Sequence, residues 1–184
     1  SWRFILKKWV RDYFSLLVPV VLIIALDQAT KLLVQSKLAY GEIWAPWYWM
    51  IPYARIIHWT NTGVAFGLFQ GMGWIFSIFA IAISAAILYY FPRVERQDWA
   101  VRVALILEMA GAIGNLIDRF RLNGAVLDFI SVGNFPVFNV ADSCITVGVF
   151  FLALGIFLQD QREKKKIGDH PMADGMDEPG GGVI

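Results

Sequence analysis

Cysteine and histidine are nearly absent. Cys144 is the single thiol, and His58 and His170 are the two imidazoles. That scarcity excludes an internal disulfide, a cysteine-built metal cage and an HExxH zinc site, so no metal or other cofactor is expected. Charge is scarce as well: Lys, Arg, Asp and Glu make up 17% of 184 residues, and the net charge is +1. Phosphate binding needs a dense basic face, so nucleic acid is not an expected partner. Hydrocarbon is abundant instead, with 58% hydrophobic and 15% aromatic residues and a mean hydropathy of +0.56. A surface that must be wetted everywhere cannot be this apolar, so the chain belongs in a membrane.

A bilayer core takes about 20 predominantly apolar residues per helix. Four windows meet that length, at 14–34, 72–91, 99–118 and 138–158. The second carries no charge and stops at Pro92, where a helix should end. Residues 1–26 are basic and then apolar, like a signal peptide, but Asp27 and Lys31 follow without a small-residue cleavage site. We therefore expect an uncleaved first span. Arg3, Lys7, Lys8, Arg11, Arg93, Arg96, Arg102, Arg162, Lys164, Lys165 and Lys166 flank the spans on one side, against Lys37, Arg55, Arg119 and Arg121 on the other. Positive residues stay inside, so both termini are expected in the cytoplasm, with 35–71 and 119–137 facing outward.

The first outer segment is not a plain loop. Trp44, Trp47, Tyr48 and Trp49 cluster within residues 44–52, a composition suited to the headgroup level. Residues 54–69 are β-branched and aromatic, broken by Asn61, Thr62 and Gly63, and read as short strands around a turn. The expected architecture is an all-α membrane protein of four transmembrane helices with a small β-subdomain. Residues 1–13 form a cytoplasmic segment, 14–158 the four-span domain with an outer sheet at about 36–70, and 159–184 a charged, then Gly- and Pro-rich tail expected to be disordered. His170 in that tail is expected to be solvated and inert.

An ionisable residue in a span costs at least about 2.5 kcal/mol, so each needs a partner, a wet cavity or a task. Asp27 and Lys31 are four apart, acid before base, and are expected to pair on one helix face. Asn115, Asp118 and Arg119 share a face at the outer end of the third span, and Asn139 and Asp142 share one at the outer start of the fourth. Asp128 lies between them in AVLDFISV, a strand or an extended link. Two carboxylates meeting at an apolar surface share one proton, and such a pair can activate water and polarise a carbonyl. The same residues also suit a structural ion-pair network or a proton path, and spacing alone favours the network.

Five motifs then occur in order: DQATK at 27–31, HWTNTGVAF at 58–66, GAIGNLIDR at 111–119, VLDFI at 126–130 and FPVFNVADS at 135–143. In these the chain resembles the lipoprotein signal peptidase (signal peptidase II) family over about residues 14–158. The resemblance implies a membrane aspartic endopeptidase with catalytic Asp128 and Asp142. It places supporting or substrate-lining roles on Asp27, Lys31, Asn61, Gly63, Asn115, Asp118, Arg119 and Asn139. Gly63 and Ala65 would let the outer sheet approach substrate closely. The implied substrate is a prolipoprotein carrying diacylglycerol, cut before the lipidated cysteine at the outer face of the bacterial cytoplasmic membrane. The chain is expected to be monomeric there, in contact with membrane lipids. Alternatives from other classes are a small transporter or proton-conducting subunit and a purely structural membrane scaffold, but the carboxylates crowd one side and the second span carries none.

Two positions depart from the family pattern. Ala110 precedes Gly111 where glycines are commonly paired, and Glu108 stands where the pattern is apolar. Glu108 is expected to keep its proton or face a polar interior. Cys144, beside Asp142, reads as a small apolar filler, since no nearby histidine serves it as a base.

Overall fold

A computed structural model describes residues 2–63 and 70–168. Among the described residues, four helices are long and apolar enough to cross a membrane: α1 (Trp2–Lys37), α2 (Gly73–Tyr90), α3 (Trp99–Arg121) and α4 (Val140–Gly168). α3 is the central one, packing against α1, α2 and α4. Leu16 and Val20 of α1, Ile87 and Phe91 at the end of α2, and Met109 and Ala110 of α3 form the core between them. The outward faces of the other helices remain apolar. Phe14, Leu22, Ile78 and Phe150 are all well exposed, as suits contact with lipid rather than water.

Both terminal helices run past the windows read from the sequence. α1 includes residues 2–13, and α4 continues from 158 to Gly168, through the first part of the tail expected to lack structure. The physical reason is local. Residues 159–166 are good helix formers, Lys164 pairs with Asp160 one turn back, and Arg162 reaches Asp98 at 2.7 Å and the Gln97 carbonyl at 2.8 Å. Residues 169–184, including His170, lie outside the described residues.

The small sheet is antiparallel, in the order β1 (Ile43–Trp44), β2 (Ala54–Asn61), β3 (Val126–Val132). Its third strand comes from the α3–α4 connection, and β2 pairs with both β1 and β3. Residues 64–69, with Ala65, lie outside the described residues. Val34, Leu127 and Phe129 form a second core that seats the sheet on the helices.

Register along β2 and β3 is interrupted once. Ile56 opposes Ile130, but the next pair on that face is Trp59 with Asp128, followed by Asn61 with Val126. One extra residue in β2 makes a bulge. Trp59 and Asn61 thereby share the face that carries Asp128, where strict alternation from Ile56 would have put His58 and Thr60.

Candidate active site

The two central carboxylates come from different kinds of element. Asp128 is the third residue of β3 and is 3% exposed. Asp142 lies in the first turn of α4, with Asn139 just before the helix. Asn139 Oδ1 accepts the Asp142 N–H at 2.8 Å, and Asp142 Oδ2 accepts the Asn139 N–H at 3.2 Å. This reciprocal pair satisfies two N–H groups that a helix start leaves open.

Asn139, fully buried, also joins the two carboxylates. Its Nδ2 donates to Asp128 Oδ1 at 2.8 Å, Asn115 Oδ1 at 3.1 Å and the Leu127 carbonyl at 3.2 Å. Asn115 Nδ2 in turn donates to Asp142 Oδ1 at 2.8 Å. Each carboxylate thus receives a side-chain amide that fixes its orientation. Burial, helped by the nearby Asp142 carboxylate and opposed by the Asn61 and Asn139 amides, pushes the Asp128 carboxyl up to about 7.

A cavity of about 480 Å³ opens over Asp128 and Asp142, and Asn61, Gly63, Asn115 and Arg119 also line it. Its far wall is apolar, built by Phe135, Phe138, Ile145 and Val147. Arg119 holds its guanidinium 5.5 Å from the centroid of the Phe76 ring and makes no ion pair among the described residues, so its charge is presented to the cavity.

Asp27, Lys31 and Asp118 do not line that cavity. They form a buried triad behind it, with Lys31 Nζ 2.8 Å from Asp27 Oδ2 and 2.8 Å from Asp118 Oδ2. Lys31 also donates to Asn115 Oδ1 at 3.2 Å. Each carboxylate of the triad has a second task. Asp27 Oδ1 accepts the Ala141 N–H at 3.0 Å, in the first turn of α4, and Asp118 Oδ2 accepts the Leu127 N–H at 3.0 Å, the residue before Asp128. The expected Asp27–Lys31 pair is present, and the triad anchors the two elements that carry Asp142 and Asp128.

Gln28 completes this layer and was not singled out from the sequence. Its Nε2 reaches Asp27 Oδ2 at 3.1 Å, the Gly114 carbonyl at 3.2 Å and Asp118 Oδ1 at 3.1 Å. Its place inside DQATK was the available signal. Trp59 was also missed, because the bulge that brings it opposite Asp128 leaves no mark in the sequence. Glu108 lies against α4, where a methyl group added at Gly148 would come 2.8 Å from its Oε1. That oxygen is buried without a hydrogen-bond partner among the described residues, so they do not supply the expected polar interior.

A four-span bundle with two amide-oriented aspartates over an open cavity defines a class: the membrane-embedded aspartic proteases. The chain belongs to the signal peptidase II family, whose model, described as Signal peptidase (SPase) II, matches residues 19–158. The lipoprotein signal peptidase of Shouchella clausii is 40% identical over 150 residues, spanning 79% of this chain and 94% of its own. That of Pseudomonas putida is 42% identical over 156 residues, with 78% and 86% covered. A solved bacterial membrane enzyme superimposes with a TM-score of 0.71 at 32% identity, over 80% of this chain and 90% of that one.

Proposed function

We propose that this chain removes the signal peptide from diacylglyceryl-modified prolipoproteins, cutting the peptide bond before the lipidated cysteine, with Asp128 and Asp142 as the catalytic pair. The observation that carries the reading is the pair itself: two carboxylates, each held by a side-chain amide, facing one cavity whose other wall is apolar. The pair shares one proton, and its protonated member hydrogen-bonds the scissile carbonyl. Its ionised member takes a proton from a water molecule, whose oxygen attacks the carbonyl carbon while the carbonyl oxygen takes the proton of the other member. Collapse of the resulting gem-diol breaks the C–N bond: the leaving cysteine nitrogen takes the proton drawn from water, and a gem-diol hydroxyl returns its proton to the pair. Water is thus divided between the two products and the pair regains its starting state. The Arg119 guanidinium is placed to hold the substrate's polar atoms near the pair.

The excess of Lys and Arg at the other end of the bundle supports an orientation with both termini in the cytoplasm and the pair at the outer face of a bacterial inner membrane. The acyl chains then stay in lipid while the scissile bond rises to the pair. Purified protein in detergent should cut a diacylglyceryl-modified prolipoprotein. Asp128→Asn and Asp142→Asn, nearly isosteric, should each lose at least about a hundredfold in kcat while remaining folded. Continued cleavage by both variants would exclude the pair as the catalyst.

A further inference from the structure

Asp128 borders two cavities. The larger, over Asp142, reaches along α4 to Ile145 and Val147 and is mostly apolar. The second, of about 440 Å³, lies on the sheet side of Asp128 and is lined by Trp59, Thr60, Gln70 and Asn134, sharing Asn61, Pro136 and Val137 with the first. Among its described lining residues none belongs to a spanning helix, and Asp128 is the one ionisable group. Hydroxyl, amide and indole groups make up the rest of its polar lining. Trp59, opposite Asp128 in the sheet, is steadied by the Tyr40 ring, stacked on it at 5.6 Å and 21°.

A peptide bond held at the pair has chain leaving in two directions, and the two cavities differ as those two directions should. An apolar groove along a spanning helix suits lipid and the hydrophobic signal segment. A neutral, hydrogen-bonding pocket outside the helices suits hydrated backbone. We propose that the Trp59–Asn134 cavity is the binding subsite for the chain that follows the lipidated cysteine, and that it favours small, uncharged polar residues there. This rests on the peptidase reading above. The cavity lies within the size range of ligand pockets and has room for about two or three residues of extended chain at ~3.4 Å each. Trp59 and Asn61 offer ring and amide to the segment, and Asn134, exposed on the turn after β3, closes the far wall.

The test compares kcat/KM for one lipid-modified prolipoprotein carrying Ser, Asp or Lys directly after the lipidated cysteine. The parent should prefer Ser to both charged residues. Asn134→Asp should shift the Lys-to-Asp ratio upward and Asn134→Lys downward, each by about two- to fivefold. The same charges introduced at Trp44, exposed on β1 at the opposite edge of the sheet, should leave that ratio unchanged. Opposite shifts from one position cannot come from a general loss of fold. If parent and both Asn134 variants cut all three substrates with one unchanged ratio, or if the Trp44 variants shift it equally, the subsite is overturned and the peptidase reading stands. If the folded parent cuts none of the substrates, the peptidase reading fails and the subsite fails with it.

Discussion

At the scale of single residues, the proposed chemistry depends on one proton. Because burial and the Asp142 carboxylate push Asp128 up to about 7, the pair keeps a proton below that pH and loses it above. The pH–rate profile should therefore fall as pH rises through about 7, measured as kcat in a fixed detergent. Stability should follow the same group. Folded Asp128 binds its proton more tightly than the unfolded chain, whose ordinary value is 3.8. Its contribution is complete below 3.8 and is lost as pH rises toward about 7. Thermal midpoints of the parent should decline across that window, and Asp128→Asn should remove that part of the slope.

At the scale of elements, close approach of α3 and α4 sets where Asp142 stands. A methyl group at Gly111 would fall 2.5 Å from the Ala141 carbonyl oxygen and 2.6 Å from Ile145 Cγ1, so backbone must move. Gly111→Ala should cost about 1–3 kcal/mol in stability and a larger share of cleavage, since the displaced turn holds Asp142. Gly148→Ala meets only the flexible end of Glu108 and should cost less in both. Thermal unfolding and kcat for the two variants, taken together, check this ordering. Elements also show what was readable in advance. Four apolar runs marked the spans because bilayer thickness constrains composition directly. The helix ends were not readable, because Arg162 and Lys164 are helical through partners at Asp98 and Asp160 rather than through hydropathy. AVLDFISV was compatible with either a strand or a link, and only pairing with β2 decides it.

For the whole molecule, Lys31 is the point where the parts meet. Its ammonium joins Asp27 and Asp118, which hold the starts of α4 and of the Asp128 strand. Its four-residue spacing from Asp27 showed the first pair, whereas Asp118 is a contact between helices that no local pattern reveals. Lys31→Met should leave two buried carboxylates uncompensated, at a cost of about 3–5 kcal/mol, with cleavage lost as the strand and α4 shift. Combining it with Asp118→Asn should recover part of the thermal midpoint, a non-additivity expected of residues in one network. Additive losses would show that the triad does not act as a unit.

Asn139 has a wider consequence, since one side chain both closes the first turn of α4 and aims Asp128. Fraying of that turn and disassembly of the proposed catalytic pair are therefore the same local opening event. The Asp142 amide, bonded to Asn139 Oδ1, exchanges its hydrogen with solvent only when that turn opens, so its exchange rate counts how often the machinery comes apart.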